Sequence, residues 1–248
     1  MKTIIVLSRK GGTGKTTTVH ALGSWLMKKG KRVLFVDMDG QANLTLTFGA
    51  KEKAINSFDL MMGSINASKA IQHTAQGDII AGNELLHALD KKLKGRNDIY
   101  VLSKALVEVK SKYDYCIIDT PAALGMATLN SIIAADKIVV PVQADLYSVQ
   151  GISRIIETLE TIKDEFGEKR KIDGFLVTRF NSRTAISKSI LNDLEKAAEH
   201  YKTRVYKTTI RECTALKEAE LMQQSIFDYA PRSNGAADYE SFIKELMK

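Results

Sequence analysis

Ile4-Ile5-Val6-Leu7-Ser8-Arg9-Lys10-Gly11-Gly12-Thr13-Gly14-Lys15-Thr16-Thr17 joins a short apolar run to a glycine-rich turn, and the turn to a helix-like stretch. Glycines let the backbone turn its N–H groups inward as an anion nest, and a helix beginning near Thr16 adds the positive end of its dipole. Lys15 has the reach for the β- and γ-phosphates of a nucleotide, and the Thr16 hydroxyl is a ligand for Mg²⁺. The stretch therefore reads as a phosphate-binding loop in its strand–loop–helix setting. Its spelling departs from G-x-x-x-x-G-K-[ST], which wants glycine at position 9 and finds Arg9. A second lysine, Lys10, stands before the Gly11-Gly12 pair. Lys10 has two readings: it neutralises a phosphate held by a facing subunit, as an arginine finger does, or it is a solvated surface lysine.

Outward from the loop, β-like apolar runs alternate with helical patterns. Residues 16–29 read as a helix with Val19, Leu22 and Leu26 near one face and Gly30 as its C-cap. Strands follow at 32–36, 115–118, 137–142 and 174–180, with helices at 149–166, 185–201 and 235–247 and a short strand at 204–208. Buried strands separated by helices predict a mostly parallel twisted sheet covered on both faces, an α/β domain spanning 1–248. The region 51–112 reads as helical and partly exposed.

Composition narrows the class. Hydrophobic residues make 44% of the 248, enough for a sizeable core. Cys116 and Cys213 are the only cysteines, too few for a disulfide framework or a four-ligand metal site within one chain. No run of 18 apolar residues and no signal-peptide pattern is present, so a cytoplasmic setting is expected. The net charge of +7 suits nucleic acid, acidic lipid or a nucleotide and does not choose among them. His20, His73, His87 and His200 show no ligand spacing.

Carboxylates mark the strand ends. An aspartate at the C-terminal edge of a buried strand points into the crevice where open α/β sheets bind ligands. Asp119, after Cys116-Ile117-Ile118, stands at such an edge. Asp37 either joins the Mg²⁺ shell or caps its strand end, and the cap is the preferred reading. Asn181, closing the run 175–181, can donate to and accept from adenine, or it simply sits in a turn before the next helix.

Lys10 to Thr16 resembles the deviant Walker A motif of the ParA/MinD ATPases, in which the first lysine is the signature lysine. Val36-Asp37-Met38-Asp39-Gly40-Gln41-Ala42-Asn43 is similar to that family's D-x-D-P-Q-G-N segment, with Gly40 where proline is usual and Ala42 where glycine is usual. Cys116 to Pro121 resembles its Walker B strand. The resemblance implies a P-loop NTPase fold and a weak, partner-stimulated ATPase using ATP and Mg²⁺. The nucleotide would contact Lys10, Gly11, Gly12, Thr13, Gly14, Lys15, Thr16, Thr17 and Asn181, and the metal would meet Thr16, Asp39 and Asp119. Lys10, Lys15 and Asp39 would be catalytic, Asp39 by orienting or deprotonating the attacking water.

Among the family's branches, metal-cluster carriers need paired interface cysteines, and the membrane branch ends in an amphipathic helix beyond the domain; the DNA-partition branch fits better than either. Segments 208–219 and 226–236 resemble ParA proteins of the short, Soj-like type, with no N-terminal helix-turn-helix domain. That branch implies an ATP-sandwich homodimer, nonspecific double-stranded DNA, a ParB-like activator and a nucleoid-associated place in the cytoplasm. Arg183, Lys188, Lys207, Arg211 and Lys217 are the candidate phosphate contacts, giving salt-sensitive binding without sequence preference. The alternatives are a MinD-like membrane switch and a ParA-like positioner of a non-DNA cargo.

Overall fold

The computed structural model describes residues 1–144 and 148–248. Eight strands form one sheet: β1 (Lys2–Val6), β2 (Val33–Asp37), β3 (Ile71–Thr74), β4 (Gly77–Ile80), β5 (Tyr115–Asp119), β6 (Lys137–Gln143), β7 (Ile172–Phe180) and β8 (Ile210–Arg211). Their spatial order is β3-β4-β2-β5-β1-β6-β7-β8, antiparallel at β3-β4 and parallel elsewhere.

Both faces of this sheet are buried, which is why its inner strands read as unbroken apolar runs. Strand alternation divides them cleanly. Ile4, Val6, Phe35, Ile117 and Val139 face the helices Lys15–Lys28 and Asn234–Leu246, whose Val19, Leu22, Leu26, Tyr239 and Phe242 complete that core. Ile5, Leu34, Val36, Ile118 and Val140 face the opposite way, onto the helices Val101–Val107, Met126–Ala134, Ser148–Phe166 and Ala185–His200. The first helix ends as expected. Gly30 takes φ 75°, its N–H bonds Met27 O, and Lys31 N reaches back to Leu26 O at 3.1 Å.

Two sequence expectations are corrected. Region 51–112 is not simply helical: it contains the β3–β4 hairpin among short helical turns. The hairpin's pattern is obscured because Gln72, His73 and Thr74 are polar, as a sheet-edge strand allows. Residues 204–208 make one isolated bridge, Val205 to Phe175, and the ladder resumes at β8. The Glu245 carboxylate accepts from Lys207 N and Thr208 N at 2.8 and 3.1 Å, taking donors a strand would need.

Register then brings the chemistry to one edge. Val6 pairs with Asp119 across β1 and β5, and Asp37 pairs with Asp119 across β2 and β5. The loops after these three strands therefore open together. β1 sits between β5 and β6, where successive connections diverge, the position at which such sheets bind ligands.

Candidate nucleotide site

The loop after β1 owes its shape to two glycines, Gly12 at φ 75° and Gly14 at φ 87°, conformations that L side chains rarely adopt. Gly14 is also the N-cap of the helix Lys15–Lys28, which has no side-chain cap and no acidic residue in its first turn. Its free N–H groups and dipole are thus left for an anion. The base of the loop is tied down. Thr178 of β7 donates to Thr13 O at 2.9 Å, and the Thr13 hydroxyl donates to Lys10 O at 3.3 Å. Lys15 is 8% exposed and its Nζ donates to Lys10 O at 3.5 Å, folded back over the loop it would serve.

Gly11, Gly12, Gly14, Lys15, Thr16, Thr17 and Asp39 line one cleft of about 840 Å³. Asp119 lies beneath it, fully buried, with Thr16 Oγ1 donating to its Oδ2 at 2.6 Å. Its other oxygen, Oδ1, is buried without a hydrogen-bond partner. Burial, reinforced by the neighbouring Asp37 charge, pushes the Asp119 carboxyl well above its ordinary value. An orphaned carboxylate oxygen beside a threonine hydroxyl under a phosphate loop is an oxygen-donor set that fits Mg²⁺.

Asp37 and Asp39 divide their work. Asp37 is fully buried. Its Oδ2 accepts from Thr45 N and Thr45 Oγ1 at 2.9 and 2.7 Å, and its Oδ1 accepts from Asp39 N at 3.0 Å. Burial raises its pKa to about 6 despite those donors. It ties the end of β2 to the short helix Asn43–Thr47, in line with its strand-end reading. Asp39 stands in the cleft wall, its Oδ1 fixed by Gln41 N at 3.0 Å.

The remaining predicted residues separate. Lys10 lies outside this cleft, in a neighbouring cavity of about 430 Å³ with Arg9, Arg154 and the end of β6. Asn181 does not line the cleft either: its Oδ1 accepts from Arg183 N at 3.0 Å, and its carbonyl accepts from Thr184 N, the turn reading. β7 instead contributes Arg179, held at φ 50°. Arg183 and Lys188 are exposed at the start of the helix Ala185–His200, and Lys207 is exposed before β8. Arg211 is gripped by Asp238, with Nε and Nη2 donating at 2.9 and 2.6 Å, and Lys217 lines the nucleotide cleft. Arg211 is thus paired and Lys217 faces the loop, unlike the other three.

Sequence reasoning missed Glu220, Arg179 and His87, all in the cleft wall. Glu220 accepts a hydrogen bond from the Thr17 hydroxyl, and burial raises its pKa. Each stands alone in its local sequence, and only the fold brings it to the loop.

Such a site, a glycine-turned anion loop at a helix N-terminus over a buried aspartate, defines a P-loop nucleotide hydrolase. Residues 1–173 match the family model described as an AAA domain. The sporulation initiation inhibitor protein Soj of Bacillus subtilis is 32% identical over 99% of this chain and 98% of its own. The chromosome-partitioning ATPase Soj of Thermus thermophilus is 30% identical over 100% and 96%. Among solved structures, cobyrinic acid a,c-diamide synthase of Mycobacterium smegmatis, with bound ADP and magnesium, superposes with a TM-score of 0.84 at 28% identity, covering 100% of this chain and 94% of that one. The chain belongs to the ParA/Soj family of P-loop ATPases. ATP and Mg²⁺ are the nucleotide and metal of this family, and the residues present fit both.

Proposed function

We propose that the protein is an ATP-switched dimer that binds nonspecific double-stranded DNA in its ATP state and drives plasmid or chromosome partition with a ParB-like activator. The observation that carries the switch is the separation of the two loop lysines. Lys15 lines its own nucleotide cleft, whereas Lys10 lines the cavity beside it. A lysine so placed serves a phosphate approaching from a second subunit. The partition role is supported by whole-length similarity to the chromosome-partitioning ATPase of Thermus.

In this reading the N–H groups of the loop and Lys15 hold the β- and γ-phosphates, and Thr16 and Asp119 would hold Mg²⁺, which would supply positive charge. Asp39, its carboxylate fixed by the Gln41 amide, orients the water that attacks the γ-phosphorus. The bond to the bridging oxygen breaks, and ADP and phosphate leave. Lys10 of the facing subunit neutralises charge that builds in the transition state. ATP favours the dimer and the dimer favours DNA, so the two bindings are linked reciprocally. Arg183, Lys188 and Lys207 are the phosphate contacts this geometry leaves open, and such binding places the protein on the nucleoid.

Retention of random duplex DNA with ATP, with ADP and without nucleotide, at two salt concentrations, tests the reading. Binding confined to ATP and falling steeply with salt is expected. Absence of binding in every state refutes the DNA role and leaves the ATPase intact.

A further inference from the structure

Two glycines beside the site are not explained by their own backbone. Gly40 follows Asp39, and Gly125 precedes the helix Met126–Ala134; neither lies in the left-handed region. What a side chain would meet there decides the matter. A Cβ on Gly40 would fall 2.5 Å from His87 Nε2 and 2.6 Å from its Cε1. A Cβ on Gly125 would collide with the Asp90 carboxylate, 2.7 Å from Oδ1 and closer still to Oδ2. In both loops that follow the strand-end aspartates, a glycine thus leaves room for the tip of a visiting side chain.

The two visitors come from one place. The 3₁₀ turn Glu84–Ala88 runs directly into the short helix Leu89–Lys92, and His87 and Asp90 are three residues apart along it. That spacing puts them on one side of a helical segment. Leu86 and Leu89, 4% and 1% exposed, anchor the segment in the core. Asp90 Oδ1 accepts from Met126 N at 2.6 Å, satisfying a donor at the start of the helix Met126–Ala134. His87 and Asp90 line one cavity of about 210 Å³ together with Gly40 from the first loop and Pro121, Ala123 and Gly125 from the second. His87 also reaches the nucleotide cleft itself.

We propose that residues 84–92 form a brace that sets both aspartate loops for hydrolysis. His87 positions the Asp39 loop by packing its ring on Gly40, and Asp90 positions the loop after Asp119 through the Met126 amide. The inference rests on the assignment of Asp39 and Asp119 to hydrolysis given above. It also accounts for the departure at position 40. The imidazole occupies the space that a proline ring there would need, so ring packing from a distant segment takes over the stiffening of the loop.

The test uses the full chain and five variants: His87→Ala, Gly40→Ala, the double variant, Asp90→Ala and Asp90→Asn. Three quantities are read: kcat and KM for MgATP, affinity for a fluorescent ADP, and amide hydrogen exchange of the nucleotide-free protein at residues 40–42 and 126. His87→Ala is expected to lower kcat by about tenfold with KM within about threefold, since a small misplacement of a reacting group is costly while ground-state binding is untouched. Exchange at 40–42 should accelerate. Gly40→Ala should lower kcat further, and adding His87→Ala to it should restore kcat to the level of His87→Ala alone, because the collision is gone. Two independent structural losses would multiply instead. Asp90→Asn keeps an acceptor for the Met126 amide and should retain activity and protection at 126, whereas Asp90→Ala should lose both.

Wild-type kcat and unchanged exchange in His87→Ala overturn the proposal, and so does wild-type kcat in Gly40→Ala. Should Gly40→Ala fail to fold, His87→Ala, a change at an exposed residue, decides alone. Asp39→Ala separates the two assignments. If it retains turnover, the hydrolysis reading falls, and the exchange data by themselves decide whether the brace exists.

Discussion

Replacing Asp119 by asparagine should stabilise the nucleotide-free protein while abolishing its response to MgATP. The wild-type carboxylate is fully buried, shares a register pair with Asp37, and has one oxygen with no partner. Its pKa is raised, with burial the largest cause and the Asp37 charge next. A carboxyl of this kind favours its protonated form in the fold. Its contribution to stability is therefore best below the ordinary value of 3.8 and declines as pH rises through the raised value. Asparagine has no such slope, so the gap between variant and wild type should open with pH. A buried charged group left unsatisfied costs about 1–3 kcal/mol or more, so an advantage of about 1–3 kcal/mol is expected for Asp119→Asn at pH 8. For a domain of this size that corresponds to roughly 2–4 °C in Tm per kcal/mol. The difference should vanish near pH 4. With MgATP at about one hundred times Kd, the wild type gains about 2.7 kcal/mol, and the variant should gain almost nothing. Urea unfolding at pH 4, 6 and 8, with and without MgATP, reads all of this. A variant less stable than wild type at pH 8 without nucleotide would refute the argument that ionising this buried carboxyl costs the empty site stability.

Three further outcomes follow from the same geometry. Lys15→Ala should lose nucleotide affinity, whereas Lys10→Ala should keep most of it and lose the ATP-dependent dimer, as titration with a fluorescent nucleotide and size-exclusion chromatography will show. Arg183→Ala and Lys188→Ala should each reduce the salt slope of DNA retention by about 1, while Arg211→Ala should lower Tm, through the lost Asp238 pair, and leave that slope unchanged. His20 is buried and its pKa lowered to about 4 from 6.5, chiefly by burial. Its neutral form is favoured in the fold, so stability should be lost as pH falls from 6.5 through about 4, by about 3 kcal/mol at 1.36 kcal/mol per pH unit. That loss should appear as a pH-dependent difference between wild type and His20→Gln; a flat difference would dismiss it.

What the sequence disclosed and what it hid follow from the range of the interactions involved. The loop from Lys10 to Thr17 was legible because its chemistry is local: glycines at fixed spacing turn the backbone, and the helix they open supplies the charge. Asp119 was legible because strand ends in an α/β sheet share an edge, and Asp39 through the segment 36–43 that resembles the family's. The brace at 84–92 was not, because its meaning lies in two collisions with glycines 47 and 35 positions away, at 40 and 125. The partner of Arg211 was hidden for the same reason. A basic residue in a basic segment looks free until Asp238, 27 positions on, is found holding it. Asn181 sits at the strand end as expected, yet the turn it closes was the stronger local demand.

The two departures in the Asp39 loop obey opposite physics. Gly40 is a glycine without a left-handed backbone, and Ala42 is a left-handed residue, φ 52°, without being glycine. The second costs on the order of 1–2 kcal/mol, a cost offset only if neighbours fix the conformation. They do so on both sides: Ala42 N donates to Asp39 O at 2.9 Å, and Ala42 O accepts from Leu46 N at 2.9 Å as the helix Asn43–Thr47 begins. Ala42 is 2% exposed, so its methyl group also gains burial that glycine would forgo. Strain of this kind recurs around the site. Of the four non-glycine residues with positive φ among the described residues, Arg179 and Gln223 line the nucleotide cleft, and Ala42 lines the cavity adjoining it. Gln223 in turn reaches across to Leu46 O at 2.8 Å, fastening the far wall to the helix that Ala42 opens. A loop that is strained at one end, packed from outside at the other and tied across the cleft has little freedom left for Asp39. That restriction is what a residue needs if it must wait, fixed, for a water molecule and a phosphate to arrive.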